Sequence, residues 1–200
     1  SNARSRSSCS RRAAVRARGG EGVACIGDVT AADFGERFVQ SAIDAFGGVD
    51  IIVNNAGYTR VGMIHKQTDG QFEAMLDVHV TAPFRILRAA SEPWREWAKR
   101  EAADGREVIR KVVNISSLAG TAGNAGQVNY SAAKSADIGM TRTLAKEWGR
   151  LKVCVNCVAF GFIETRLTRA NDDPAAAIEI DGRKIRTGVP PAMLDSLNER

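Results

Sequence analysis

Apolar residues in this chain fall into short runs separated by longer stretches of helical period. Val23-Ala24-Cys25-Ile26 reads as a short buried strand that ends at Gly27-Asp28-Val29-Thr30. Thr30 with Asp33 resembles a capping box. Phe34, Phe38, Ala42 and Phe46 then recur every four residues beside Val39 and Ile43, an amphipathic helix stopped by Gly47-Gly48. Val49 to Val53 is a second strand, leading into Asn54-Asn55-Ala56-Gly57. Thr68 to Gln71 signals another helix start, and a long helical pattern runs through Phe72, Leu76, Phe84, Leu87 and Trp94, with Pro83 expected to break or kink it. A third strand spans 112–115, a helix 128–149 and a fourth strand 152–159. Ile178 to Ile185 reads as a hairpin around Asp181-Gly182.

Strands alternating with helices specify an α/β fold, a parallel sheet with flanking helices. Two hundred residues, 44% hydrophobic and 26% charged, suit a single globular unit with a sizeable core. No apolar run approaches a membrane span, so no membrane partner is expected. The net charge of +5 suggests nucleic acid until it is located. Six of the 28 basic residues are arginines within 1–18, where there is no acid; the other 22 face 23 acidic residues, a net of −1. Basic character is therefore a property of the tail, which argues against a nucleic-acid partner. Ser1-Asn2-Ala3 resembles the remnant of a cleaved tag, and the Arg/Ser-rich run after it also fits a transit peptide or a leftover helix end.

There is no secretory apolar segment, so a reducing cytoplasm is the expected location for the four cysteines. Cys154 and Cys157 have CxxC spacing, but on a strand side chains three apart point to opposite faces, so no metal site is expected.

In open parallel sheets ligands bind beyond the carboxyl ends of the strands. Three polar clusters stand at such ends: Asp28-Val29-Thr30, Asn54 to Gly57 and Ser116-Ser117. Each alone also reads as a turn or cap; together they favour a shared cleft. Tyr130 and Lys134, four apart, lie on one helix face about 6 Å apart along the axis. A lysine cation favours phenolate, and a phenol tuned this way can pass a proton to or from a carbonyl or alcohol oxygen. Spacing alone is weak support, because helix surfaces carry many such pairs.

Tyr130-Ser131-Ala132-Ala133-Lys134 resembles the Tyr-xxx-Lys element of the short-chain dehydrogenase/reductase family, and Ser117 falls where that family has its catalytic serine. Asn54 to Gly57 resembles its NNAG motif, Asp28-Val29 its adenine-side turn, and Gly161-Phe162-Ile163-Glu164-Thr165 its segment after the last clear strand. The resemblance covers residues 22–168, and Gly120 to Gln127 is most similar to the 3-oxoacyl-carrier-protein reductase branch. It implies a Rossmann-like oxidoreductase that moves hydride between NAD or NADP and a small carbonyl or alcohol substrate. It also implies roles. Tyr130 is the general acid or base. Lys134 lowers its pKa and binds the nicotinamide ribose, and Ser117 holds the reacting oxygen. Asn55, Ala56 and Gly57 line the cofactor, and the Ile163 backbone meets its carboxamide. Ser116 is expected to be a structural hydroxyl.

The pattern also departs from the family. The Thr-Gly-xxx-Gly-x-Gly turn, whose amides hold a pyrophosphate, has no counterpart; Gly19-Gly20-Glu21-Gly22 has the wrong spacing. The NAD/NADP discriminator is unreadable for the same reason. His79 stands where the family usually has an asparagine, read here as a packing substitution in preference to a proton relay, and Phe160 replaces a proline. The expected organisation is a basic tail at 1–20, an incomplete Rossmann-like catalytic domain at 21–168 and a substrate-lid-like segment at 169–200. A catalytically inactive, self-associating fragment is the alternative. In the usual strand order 3-2-1-4-5-6, loss of strands one and two leaves the third without a neighbour and the fourth with a bare edge. Either the third slides beside the fourth, or a second chain covers that edge, so a homo-oligomer is expected.

Overall fold

The computed structural model describes residues 12–163, together with the backbone of 177–180 and 183–186. After a helical turn at 12–16 come α1 (Phe34–Phe46), β1 (Ile51–Asn54), α2 (Asp69–Leu76), a π-helical segment (Asp77–Thr81) and α3 (Ala82–Ala103). Next are β2 (Arg110–Ser117), α4 (Leu118–Ala122), α5 (Val128–Trp148) and β3 (Val153–Phe160). Strands β4 (Ala177–Ile180) and β5 (Arg183–Arg186) pair antiparallel, with Ile178 opposite Ile185. The Asp181-Gly182 turn and the basic tail before residue 12 lie outside the described residues.

β1, β2 and β3 form a parallel sheet in that order. Its core draws on α1 (Phe34, Val39), α3 (Ile86, Leu87, Trp94) and α5 (Trp148), packed on Ile52, Val112, Val153 and Val155. Trp94 crosses Trp148 edge to face at 5.6 Å and donates its indole N–H to the Val49 carbonyl at 2.7 Å. Buried Arg110 makes a two-pronged bond to Glu101 at 2.6 and 2.9 Å, tying the start of β2 to the end of α3. The other sheet face carries Ile51 and Val53, each 57% exposed. Parallel sheets normally bury both faces; among the described residues this one leaves an apolar side uncovered and its β1 edge unpaired.

Several expectations are corrected here. The 23–26 segment forms no strand, and Val23 and Ile26 are exposed. It lacks a neighbour, as anticipated, yet it does not slide beside β1, whose one strand partner among the described residues is β2. Thr30 is no helix cap. Its amide and hydroxyl both donate to Asp28 Oδ1, at 2.9 and 2.8 Å, and α1 starts after Asp33 without a side-chain cap. The α1 stripe is rotated, burying Phe34, Gly35 and Val39 while Phe38 and Phe46 stay exposed. Gly35 sets this contact, because a Cβ there would sit 2.8 Å from the Arg85 backbone of α3. Pro83 does not kink a helix; it occupies the first turn of α3, where its missing N–H costs nothing, and the break precedes it as the π-helical segment. The Thr68–Gln71 capping box forms in both directions, at 3.3 and 3.0 Å.

Candidate active site

The carboxyl end of β2 and the first turns of α5 meet at Tyr130. Strand β2 ends at Ser117, whose hydroxyl accepts the Ala119 amide at 3.2 Å to start α4 and also reaches the Tyr130 phenol. Gly126-Gln127 leads into α5, where Asn129 is fully buried. Its carbonyl oxygen accepts the Tyr130 amide at 2.8 Å, and its NH2 donates to the Arg60 and Gln71 carbonyls at 3.1 and 3.4 Å. Asn129 thus ties the first turn of α5 to the loop after β1 and to α2. One turn on, Lys134 is 6% exposed. Its ammonium donates to the Ile115 carbonyl at 2.6 Å and to Asp137 Oδ2 at 3.3 Å, and lies 5.7 Å from the Tyr130 ring centre. The Ser116 hydroxyl donates to the Lys134 carbonyl at 2.8 Å, the structural role expected of it.

His79 closes the other side. It is 3% exposed, and its ring meets Tyr130 edge on at 5.1 Å. Nε2 lies 2.8 Å from the Tyr58 carbonyl, which can only accept, so Nε2 carries the proton and Nδ1 is a bare acceptor, buried without a partner. Gly57 makes room for this ring, since a Cβ there would run into the imidazole. Burial, with the Lys134 charge second, pushes the His79 pKa down to about 4. The imidazole is neutral near pH 7, in keeping with a packing role.

The tyrosine does not behave as the Tyr/Lys spacing suggested. Burial raises the Tyr130 phenol above its ordinary value; the Ser117 hydrogen bond opposes this, and the Asp137 charge adds to it. The Lys134 cation is engaged by Asp137 and by the Ile115 carbonyl and does not bring the phenol below its ordinary value.

A model of the family described as short chain dehydrogenase matches residues 3–176. The chain belongs to that family. It is 38% identical to the 3-oxoacyl-[acyl-carrier-protein] reductase of Vibrio cholerae over 154 residues, 77% of this chain and 58% of the relative. The hydroxyacyl-CoA dehydrogenase of Mycobacterium tuberculosis is 38% identical over 146 residues, 73% of this chain and 45% of the relative. A short chain dehydrogenase from Mycobacterium avium superposes with a TM-score of 0.70 at 36% identity, covering 80% of this chain and 52% of its own. The chain therefore spans about half to three-fifths of these relatives.

Within that frame, Ser117, Tyr130 and Lys134 come together as the sequence suggested. Asn55, Ala56 and Gly57 form an exposed irregular segment after β1, with Gly57 against His79. Asp28 accepts from Thr30, Val29 and Tyr130 both pack against the buried cluster of Met75, Val78 and Ala133, and Ile163 follows β3, largely exposed. Glu164 and Thr165 lie outside the described residues. No group of three or more potential metal ligands occurs among the described residues. Cys154 is exposed and Cys157 half-buried, three apart on β3. Sequence reading passed over Asn129, Asn114 and Asp137. Fully buried Asn114 accepts from Asn54 at 2.8 Å and donates to Thr141 at 2.9 Å, clipping β1 to α5 through β2. Asn and Asp inside otherwise apolar helix and strand runs were the available signal, since buried polar groups require partners.

Proposed function

We propose that this chain carries the catalytic half of an NAD(P)-dependent short-chain oxidoreductase acting on a carbonyl or alcohol, with 3-oxoacyl thioesters as the substrate class. The observation that carries this reading is the convergence of Ser117, Tyr130 and Lys134 where β2 meets α5. The substrate class rests on the names of the relatives and on the wording of the 120–127 loop.

The residues present fit the nicotinamide half of such a cofactor. A buried ammonium stands beside a phenol, and Gly57 lies against the His79 ring that meets that phenol. They do not supply a glycine turn for the pyrophosphate. A bound nicotinamide would supply or accept the hydride. Tyr130 would donate its proton to the carbonyl oxygen in reduction and take it back in oxidation. Ser117 would hydrogen-bond the same oxygen and, by sharing the phenol, set the approach. Lys134 would stabilise the phenolate left behind and meet the ribose hydroxyls. Tyr130 is partly buried, which limits water around this transfer.

The test is reduction of a 3-oxoacyl thioester by the purified chain at millimolar NADPH or NADH. Slow turnover is expected, cut by about 100-fold in Tyr130→Phe. Turnover that survives the substitution, or none in the parent chain, would overturn the reading.

A further inference from the structure

Asp137 is the most deeply buried acidic side chain near Tyr130, 2% exposed and one helical turn beyond Lys134. A carboxylate out of water requires compensation. One oxygen has it, from the Lys134 ammonium at 3.3 Å; the other, Oδ1, is buried without a hydrogen-bond partner. The backbone here is pinned: the Thr141 hydroxyl donates to the Asp137 carbonyl at 2.7 Å and receives the Asn114 side chain at 2.9 Å. Asp137 cannot leave Lys134 without abandoning its one cationic partner among the described residues.

We propose that Asp137 is a positioning residue of the Tyr130 site, a buried carboxylate that holds Lys134 in its charged form and fixes its ammonium against the Ile115 carbonyl. The inference rests on the reading of Lys134 as a working group of the site.

Burial disfavours the charged form of a lysine this deep. Desolvation pulls Lys134 below its ordinary range, and the Asp137 charge, then its hydrogen bond, opposes that fall. The groups facing the pair are few. His79 approaches from the π-helical segment, and its neutral ring adds no charge. Cys157 faces Lys134 from β3. Tyr130, on the same helix, feels the Asp137 charge directly. The Ile115 carbonyl of β2 accepts but cannot neutralise. Asp137 is therefore the one anionic carboxylate among these groups, and it acts on the tyrosine by keeping the adjacent cation in place.

The experiment is an NMR titration of the full chain labelled with 13C,15N-lysine, the Lys134 signal being assigned by its loss in Lys134→Arg. In the parent chain the Lys134 side-chain shift should show an inflection near pH 6, where Asp137 gains its proton. In Asp137→Asn the lysine's own midpoint should fall by at least about one pH unit, because a unit-charge pair at this separation is worth more than that at an effective dielectric of about 20. Asp137→Glu should restore part of the difference. An unchanged lysine midpoint in Asp137→Asn would overturn the proposal, as would a parent Lys134 signal that is flat from pH 5 to 7; the second result decides even if the asparagine variant fails to fold. If the lysine shifts as expected while Tyr130→Phe keeps full turnover, the clamp stands and the oxidoreductase reading falls.

Discussion

Replacing His79 with asparagine and, separately, Asp137 with asparagine should tilt the pH dependence of stability in opposite directions. His79 has an ordinary value of 6.5 and is pushed down to about 4 in the fold. Its contribution is fully present above 6.5 and is lost as pH falls towards 4, because the unfolded chain takes up a proton that the folded chain refuses. At about 1.4 kcal/mol per pH unit this amounts to about 3 kcal/mol. Asp137 has an ordinary value of 3.8 and is pushed up to about 6, mainly by burial. It favours the folded state below 3.8, and that contribution is lost as pH rises through 6, again about 3 kcal/mol. Between pH 6.5 and 4 the two slopes nearly cancel. Glu101, held low chiefly by its hydrogen bond from Arg110, weakens the fold in acid equally in both variants and drops out of their comparison. Urea unfolding followed by the fluorescence of the three tryptophans, from pH 7 to 4, gives the result directly. Asp137→Asn should lose stability towards acid and His79→Asn should gain it relative to the parent, diverging by several kcal/mol, at most about 6. Parallel curves for the two variants would refute the assignment of a neutral imidazole and a strained carboxylate on either side of Tyr130.

Gly57→Ala should destabilise the chain by about 1–3 kcal/mol, since its methyl enters the His79 ring space; the double variant with His79→Ala should recover much of that loss in thermal melts. Nicotinamide binding by this chain should be weak, because no glycine turn holds the pyrophosphate; micromolar affinity for NADH or NADPH in a fluorescence titration would contradict this. The open β1 edge, with Ile51 and Val53 exposed, should drive self-association, and light scattering after size exclusion should show an oligomer that Val53→Lys weakens. A monodisperse parent monomer would defeat that expectation.

Much of the architecture was legible because it depends on local period and local chemistry. The helix expected at 128–149 forms over Val128–Trp148, and the strands expected at 112–115 and 152–159 form as cores of β2 and β3. The Thr68–Gln71 box closes because both partners lie within four residues. Tyr130 and Lys134 share a face for the same reason, and Ser117 joins them because parallel strands deliver their carboxyl ends to one rim. What depended on neighbours was decided by the tertiary structure. Residues 23–26 have strand composition but no strand beside them among the described residues, and a strand without hydrogen-bonding partners is not one. Phe38 and Phe46 match a helical stripe but stay exposed, because Gly35 lets α1 approach α3 through another face. The sign of the Tyr130 shift was likewise set by packing: the spacing of Tyr130 and Lys134 gave the cation's distance, while burial and Asp137, placed by a hydrogen-bond chain from β1 through Asn114 and Thr141, determined how much of that charge the phenol feels.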